Sequence, residues 1–167
     1  MPDCRPDIGF LPTPPEVVNA MLQIAELDQD DLIYDLGCGD GRILIAAAQR
    51  FGTRGVGIDI DRDRVNEATQ LAHQAGVAHL LTFHQQNLYE SQFDNATVLI
   101  LYLLPHLNLK LRPQIREQLK PGTRVISHDF DMGDWLPEHM VQIPTQEGEV
   151  ATVYRWTIAD AEASTKG

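Results

Sequence analysis

The sequence predicts an α/β domain: a doubly wound, mostly parallel sheet with crossover helices and an antiparallel hairpin at its C-terminal edge. Three observations carry that prediction. Short apolar runs such as 96–102 read as strands buried on both faces, and stripes at helical spacing separate them. Residues 32–41 lead from strand to helix through three glycines, Gly37, Gly39 and Gly41, a turn with almost no side-chain bulk. After residue 127 the alternation stops, and two strands follow with no long helix between them.

In chain order, 1–12 reads as an extended arm, 13–158 as the domain and 159–167 as a frayed tail. Thr13, Pro14, Pro15 and Glu16 read as a helix start, with Thr13 as N-cap, proline at the first helical position and Glu16 closing a capping box. Val17, Val18, Met21, Leu22 and Ala25 then form one apolar face. The first strand covers 32–36, and the alanine-rich segment 42–50 reads as a helix packed on it. A second strand over 55–60 carries an acid, Asp59, near its end. A helix over 61–75 follows, with Gly76 as its stop signal. Strands are expected at 80–83, 96–102 and 124–127, with a helical stripe at Leu107, Leu111, Ile115 and Leu119 that Pro113 kinks or restarts. Segments 140–143 and 152–158 pair as the closing hairpin across a polar turn around Gly148.

Composition narrows the function classes. A length of 167 residues with 43% hydrophobic and 22% charged residues suits one soluble domain. No apolar run approaches the roughly 18–20 residues that span a bilayer, and the polar, proline-containing first residues do not read as a signal peptide. A reducing cytoplasm is the default expectation. Cys4 and Cys38 lie in unlike contexts and suggest neither a disulfide nor a metal site. The net charge of −11 makes a basic protein segment or a small molecule a more natural partner than nucleic acid.

The glycine turn carries the chemistry. Ligands of open parallel sheets sit outside the carboxyl ends of the strands, where 37–41 lies, and an acid about 20 residues on suits ribose hydroxyls. Both features fit an adenosine ligand. Arg42 stands where a dinucleotide fingerprint needs glycine or alanine. Asp35, before the first glycine, would repel a pyrophosphate but suits the ammonium and sulfonium groups of S-adenosylmethionine. A phosphate-cradling loop also lacks its lysine and serine or threonine.

The run Asp35, Leu36, Gly37, Cys38, Gly39, Asp40, Gly41 resembles the signature of class I, seven-stranded S-adenosylmethionine-dependent methyltransferases. The resemblance extends over nearly the whole chain and implies the Rossmann-like class I methyltransferase fold, with the last strand inserted antiparallel. It implies S-adenosyl-L-methionine as cofactor. Gly37, Gly39 and Gly41 would let the backbone approach its methionine part, with Asp35 toward the amino end. Asp59 would take the ribose and Ile60 would pack on adenine, while Asn87 and Leu88, after the third strand, would reach the adenine amine. Thr13 would touch the ligand from the helix entrance. Tyr102 ends the fourth strand, where the family places groups near the transferred methyl, and would contact the cofactor there.

A narrower resemblance is to the small protein-lysine methyltransferases of mitochondrial inner-membrane proteins and their bacterial relatives. It is carried by Pro12, Thr13 and Pro14, by 35–43, by Tyr102 to Pro105, by 119–127 and by the segment at Trp135. It implies a protein lysine as methyl acceptor. Tyr102 is then the residue expected to orient the acceptor, and Asp129 the one to attract a lysine or take up its proton. The adenine-N6 and glutamine methyltransferase motif is absent from 101–105, and no metal-ligand cluster is evident. The six histidines are scattered and read as structural or solvated. Alternatives remain at this level: a small-molecule acceptor, a nicotinamide-dependent oxidoreductase disfavoured by Arg42, or a non-catalytic cofactor-binding module.

Overall fold

In the computed structural model, which describes residues 12–159, β1 (Leu32–Leu36) lies inside a seven-stranded sheet. The arm expected over 1–12 and the tail over 159–167 lie outside the described residues, apart from Pro12 and Ala159. The other strands are β2 (Arg54–Asp59), β3 (Leu81–Gln85), β4 (Val98–Leu101), β5 (Arg124–His128), β6 (His139–Pro144) and β7 (Val150–Thr157). Helices α1 (Pro15–Ala25), α2 (Arg42–Phe51), α3 (Arg62–Gln74) and α4 (Pro105–Gln118) connect or cover them. The strand order is β3-β2-β1-β4-β5-β7-β6. β1 to β5 are parallel, and β7 enters antiparallel between β5 and β6. Order reverses between β1 and β4, which places a ligand crevice beyond their carboxyl ends.

Strand residues alternate between two buried layers, as a pleated sheet covered on both faces requires. Ile33, Val98, Ile100 and Ile126 pack with Val17, Met21 and Leu22 of α1 and Leu44 of α2. Tyr34, Leu36, Leu99, Leu101 and Val125 face Leu111 and Ile115 of α4, together with Phe93 and Trp156. Among the described residues no helix is long and apolar enough to cross a membrane.

Two local expectations are corrected. The N-cap of α1 is Pro14, not Thr13, and no side chain caps it. Thr13 turns its hydroxyl toward His128, and the Glu16 carboxylate accepts the Gln146 N–H at 2.8 Å, so the capping box has lost both members to tertiary partners. Pro113 does not restart α4, which continues from Pro105 to Gln118. It lies on the exposed face beside half-exposed Leu109, whose carbonyl can turn to water when proline withholds its N–H.

The C-terminal end of α1 is held by two arginines from distant strands. Arg124 donates to the carbonyls of Ala25 and Glu26 at 2.8 and 2.9 Å and pairs with buried Asp31. Arg155 donates to the Ile24 carbonyl and to the Glu26 carboxylate, both at 2.6 Å. Cationic side chains thereby satisfy carbonyls that a helix end leaves unpaired.

Candidate active site

The turn after β1 is built by glycines in the left-handed region, with φ of 84° at Gly37, 56° at Gly39 and 77° at Gly41. Four of its N–H groups are engaged within the protein. Gly37 and Cys38 donate to the Ile58 carbonyl at 2.7 and 3.0 Å, Gly39 to Asp59 Oδ2 at 2.9 Å, and Gly41 to the Cys38 carbonyl at 3.0 Å. A pyrophosphate cradle needs such donors free and aimed outward. Gly41 serves packing as well as the turn: a Cβ there would lie 3.0 Å from Ala68 Cβ and from the Phe83 ring.

Three carboxylates gather around this turn. Asp35 is buried, and burial, then Asp59, then Asp40 push its carboxyl up to about 8. Asp59 is also raised, chiefly by burial, against the lowering effect of the Asp61 and Gly39 N–H groups that its two oxygens accept at 2.9 Å. Asp40 is matched by Arg42, through Nε to Oδ1 at 3.1 Å and Nη2 to Oδ2 at 2.7 Å. Three carboxylates, with Arg42 on Asp40 and Arg64 acting on Asp59, leave desolvated negative charge in excess, which favours a cationic ligand over an anionic one. The sulfonium of S-adenosylmethionine fits that environment.

Comparison with known proteins agrees. Residues 35–139 match the family model described as the ANTKMT methyltransferase domain. The chain belongs to that family. It is 40% identical to a protein-lysine N-methyltransferase of Saccharolobus islandicus over 93% of this chain and 96% of the relative. It is 29% identical to an adenine nucleotide translocase lysine N-methyltransferase of Mus musculus over 65% of this chain, which spans 48% of that relative's length. Among solved structures, an RNA methyltransferase from Salinibacter ruber in complex with S-adenosyl-L-homocysteine is 55% identical, with TM-score 0.84 over 89% of this chain and 94% of that one. The protein is an S-adenosylmethionine-dependent methyltransferase, and the oxidoreductase and non-catalytic readings fall away.

The remaining residues singled out from the sequence of this methyltransferase distribute as follows. Ile60 follows β2, and its carbonyl accepts from Gln85 Nε2 at 3.3 Å at the end of β3. Asn87 caps a short 3₁₀ turn spanning Leu88–Glu90, where its Oδ1 accepts the Tyr89 N–H at 2.9 Å. Leu88 is half-buried against the layer containing Leu36 and Ile58. Thr13 is buried, and its carbonyl accepts from Arg42 Nη1 at 3.2 Å, which joins the entrance of α1 to the glycine turn.

Across the crevice, Tyr102 follows β4 and stacks on His128, the last residue of β5, with ring centroids 4.0 Å apart. Asp129 sits at φ 64°, unusual for a residue with a Cβ, and the Phe130 N–H donates to the His128 carbonyl at 2.8 Å. Such a three-residue turn with positive φ is strained, and strain of this kind gathers at functional sites. Surrounding contacts hold it. Asp129 Oδ1 accepts the Thr152 N–H at 2.9 Å, and buried Asn108 donates to the carbonyls of Phe130 and Asp131 at 3.1 and 3.0 Å. The Tyr102 hydroxyl is raised in pKa by burial first, then by Asp129 and Glu149.

His128, the Asp40–Arg42 pair and Gly57 escaped the reading of the sequence. A signal for His128 existed: it ends the apolar run neighbouring the one that Tyr102 follows, and adjacent parallel strands bring their carboxyl ends together. Gly57 leaves room under the turn, since a Cβ there would come within 2.6 Å of Phe83 Cδ1 and 2.8 Å of Cys38 Sγ. Gly57→Ala is therefore expected to destabilise the protein by about 1–3 kcal/mol through overpacking. Urea unfolding would show it as a lower midpoint with an unchanged slope, and a midpoint equal to wild type would refute it.

Proposed function

We propose that this enzyme transfers the methyl group to the ε-amine of a protein lysine. The observation that carries the reading is the carboxylate beside the Tyr102 stack: the Tyr102 ring lies on His128 at 4.0 Å, and Asp129 Oδ2 lies 3.6 Å from Nε2 of that histidine, so an acidic group stands where a cationic acceptor would be drawn in. The net charge of −11 and the likeness to the Saccharolobus protein-lysine enzyme support it.

In this reading Asp35, Gly37, Gly39 and Gly41 hold the methionine part of the cofactor, Asp59 its ribose, and Ile60, Asn87 and Leu88 its adenine, with Thr13 bracing the turn. S-adenosylmethionine supplies an electrophilic methyl on a sulfonium. The unprotonated lysine nitrogen forms the new N–C bond as the C–S bond breaks, and that electron pair stays on sulfur. The ammonium product then releases a proton to Asp129 or water. Charge is neutralised at sulfur during transfer, so positioning and desolvation carry most of the catalysis. Tyr102 orients the amine. Tyr102→Phe keeps the stacked ring and is expected to lower turnover about tenfold, the scale of one lost hydrogen bond, with cofactor affinity unchanged by calorimetry. Unchanged turnover would remove Tyr102 from the role.

The Salinibacter relative's description as an RNA methyltransferase favours a second acceptor, RNA. Incubating the enzyme with a cell extract and methyl-tritiated S-adenosylmethionine separates the readings. Label that is sensitive to protease and resistant to ribonuclease, and recovered as methyllysine after acid hydrolysis, is expected. Ribonuclease-sensitive label would establish the RNA reading instead, and label in the low-mass fraction a small-molecule acceptor.

A further inference from the structure

His128 is 3% exposed, and its ring meets Tyr102, Thr13 and Asp129. Its ring face carries Tyr102 at a centroid distance of 4.0 Å and an interplanar angle of 25°. Tyr102 is in turn stacked toward Phe130 at 5.9 Å and 14°. Nδ1 of His128 lies 3.2 Å from Thr13 Oγ1, and Nε2 lies 3.6 Å from Asp129 Oδ2. Through Thr13 the contact reaches the cofactor side, because Arg42 donates to the Thr13 carbonyl at 3.2 Å and clasps Asp40 in the glycine turn. One continuous chain of contacts thus runs from the glycine turn, through Arg42, Thr13 and His128, to Tyr102.

A carboxylate beside Nε2 favours a proton on that nitrogen, which leaves Nδ1 as an acceptor for the Thr13 hydroxyl. Burial lowers the pKa of His128, and Asp129 opposes the shift. Among the described residues, the Tyr102 phenol and the Thr13 hydroxyl also lie against the ring, and neither carries charge near neutrality.

We propose that His128 is a positioning residue for methyl transfer: with its proton on Nε2, it accepts from Thr13 at Nδ1 and fixes the Tyr102 ring, locking the acceptor wall to the glycine turn. The inference rests on Tyr102 orienting the acceptor, and it goes beyond that role because His128 acts only through its neighbours.

The stack on Tyr102 and the bond to Thr13 are separable by substitution. His128→Phe keeps a stacking ring and loses the bond to Thr13 together with the approach of Nε2 to Asp129. Thr13→Val loses the same bond and keeps the imidazole. His128→Asn can present an amide near the Nδ1 position while losing the stack. Kinetics use poly-L-lysine and methyl-tritiated S-adenosylmethionine, and cofactor affinity is read by calorimetry with S-adenosylhomocysteine. We expect His128→Phe and Thr13→Val each to lower kcat at least fivefold, with the S-adenosylhomocysteine affinity of His128→Phe within about twofold of wild type. Their double variant should lose no more than the larger single loss, as one shared bond requires. His128→Asn should show a distinct, larger loss of kcat from release of Tyr102. Nitrogen-15 histidine spectra of the wild type at pH 7.5 should show the Nε2–H tautomer, and Thr13→Val should move the Nδ1 resonance.

Wild-type kcat in folded His128→Phe and Thr13→Val would overturn the proposal. So would fully additive losses, or an imidazolium or Nδ1–H tautomer at His128. Wild-type inactivity on poly-L-lysine would count against the lysine reading alone, because the imidazole resonances need no acceptor and then decide the case for His128.

Discussion

Asp35→Asn is expected to weaken binding of S-adenosylmethionine by about 10- to 100-fold, the range for losing an interaction with a charged partner, while raising the thermal stability of the unliganded protein. The two effects share a cause. Burial, reinforced by Asp59 and Asp40, lifts the Asp35 carboxyl from 3.8 to about 8. Between those values the folded chain holds a proton that the unfolded chain has released. Stability contributed at this position is therefore fully present below pH 3.8, declines as pH rises toward 8, and levels off above. Asparagine has no proton to lose and removes the decline, so the variant should melt several degrees higher at pH 7.5 and close to wild type at pH 4.5.

Cofactor binding works against the same proton. A sulfonium or ammonium beside Asp35 favours the carboxylate, so wild-type affinity is expected to rise about tenfold per pH unit below 8 and to flatten above it. In the variant that contribution vanishes. Calorimetry in two buffers of different ionisation enthalpy would count the proton released. Equal affinities of wild type and Asp35→Asn, or equal pH slopes, would dismiss this role for Asp35. The stability gain beside a functional loss is the usual signature of a site that keeps costly charge for its ligand.

The second large effect lies at the other end of the sheet. Arg124→Met is expected to lower stability by about 3–5 kcal/mol, as breaking a buried ion pair from one side does. It removes a donor from three acceptors: the carbonyls of Ala25 and Glu26 and the buried carboxylate of Asp31. Asp31 keeps the Thr97 hydroxyl at 2.8 Å and the Asp28 N–H at 2.9 Å, which do not neutralise its charge. Adding Asp31→Asn should therefore recover a substantial part of the loss. Arg124 begins the strand that His128 ends, about 13 Å away at strand rise. Cofactor affinity of the folded fraction should then match wild type. Denaturant melts of the single and double variants check the first claim and calorimetry below the melting range checks the second; a double variant no more stable than Arg124→Met would show that the unpaired charge is not the cause.

The elements that sequence could predict are those whose signal is local. β1, the glycine turn and α2 form one continuous segment, and the apolar run of β4 is buried on both faces wherever its neighbours lie. The closing hairpin was visible in the same way, as two strands with only a turn between them. Local signals failed where a side chain had a distant competitor. Thr13 has the right chemistry to cap α1, but His128, 115 residues away in sequence, takes its hydroxyl. Asn87 could be read as an adenine contact or a turn former, and its side chain does cap the following turn.

By itself the sequence determined the order of elements, the parallel sheet with its hairpin, and a glycine turn whose flanking Asp35 and Arg42 suit a sulfonium rather than a pyrophosphate. These follow from backbone freedom at glycine, hydrophobic period and charge, all of which act over a few residues. Only the tertiary structure decided which groups act together. It buried Asp35 among other carboxylates, used four of the turn's N–H groups internally, stacked Tyr102 on His128, and tied both to the glycine turn through Thr13 and Arg42. Burial and electrostatic coupling depend on which distant strands end side by side, and that is a property of the sheet order rather than of any segment in it.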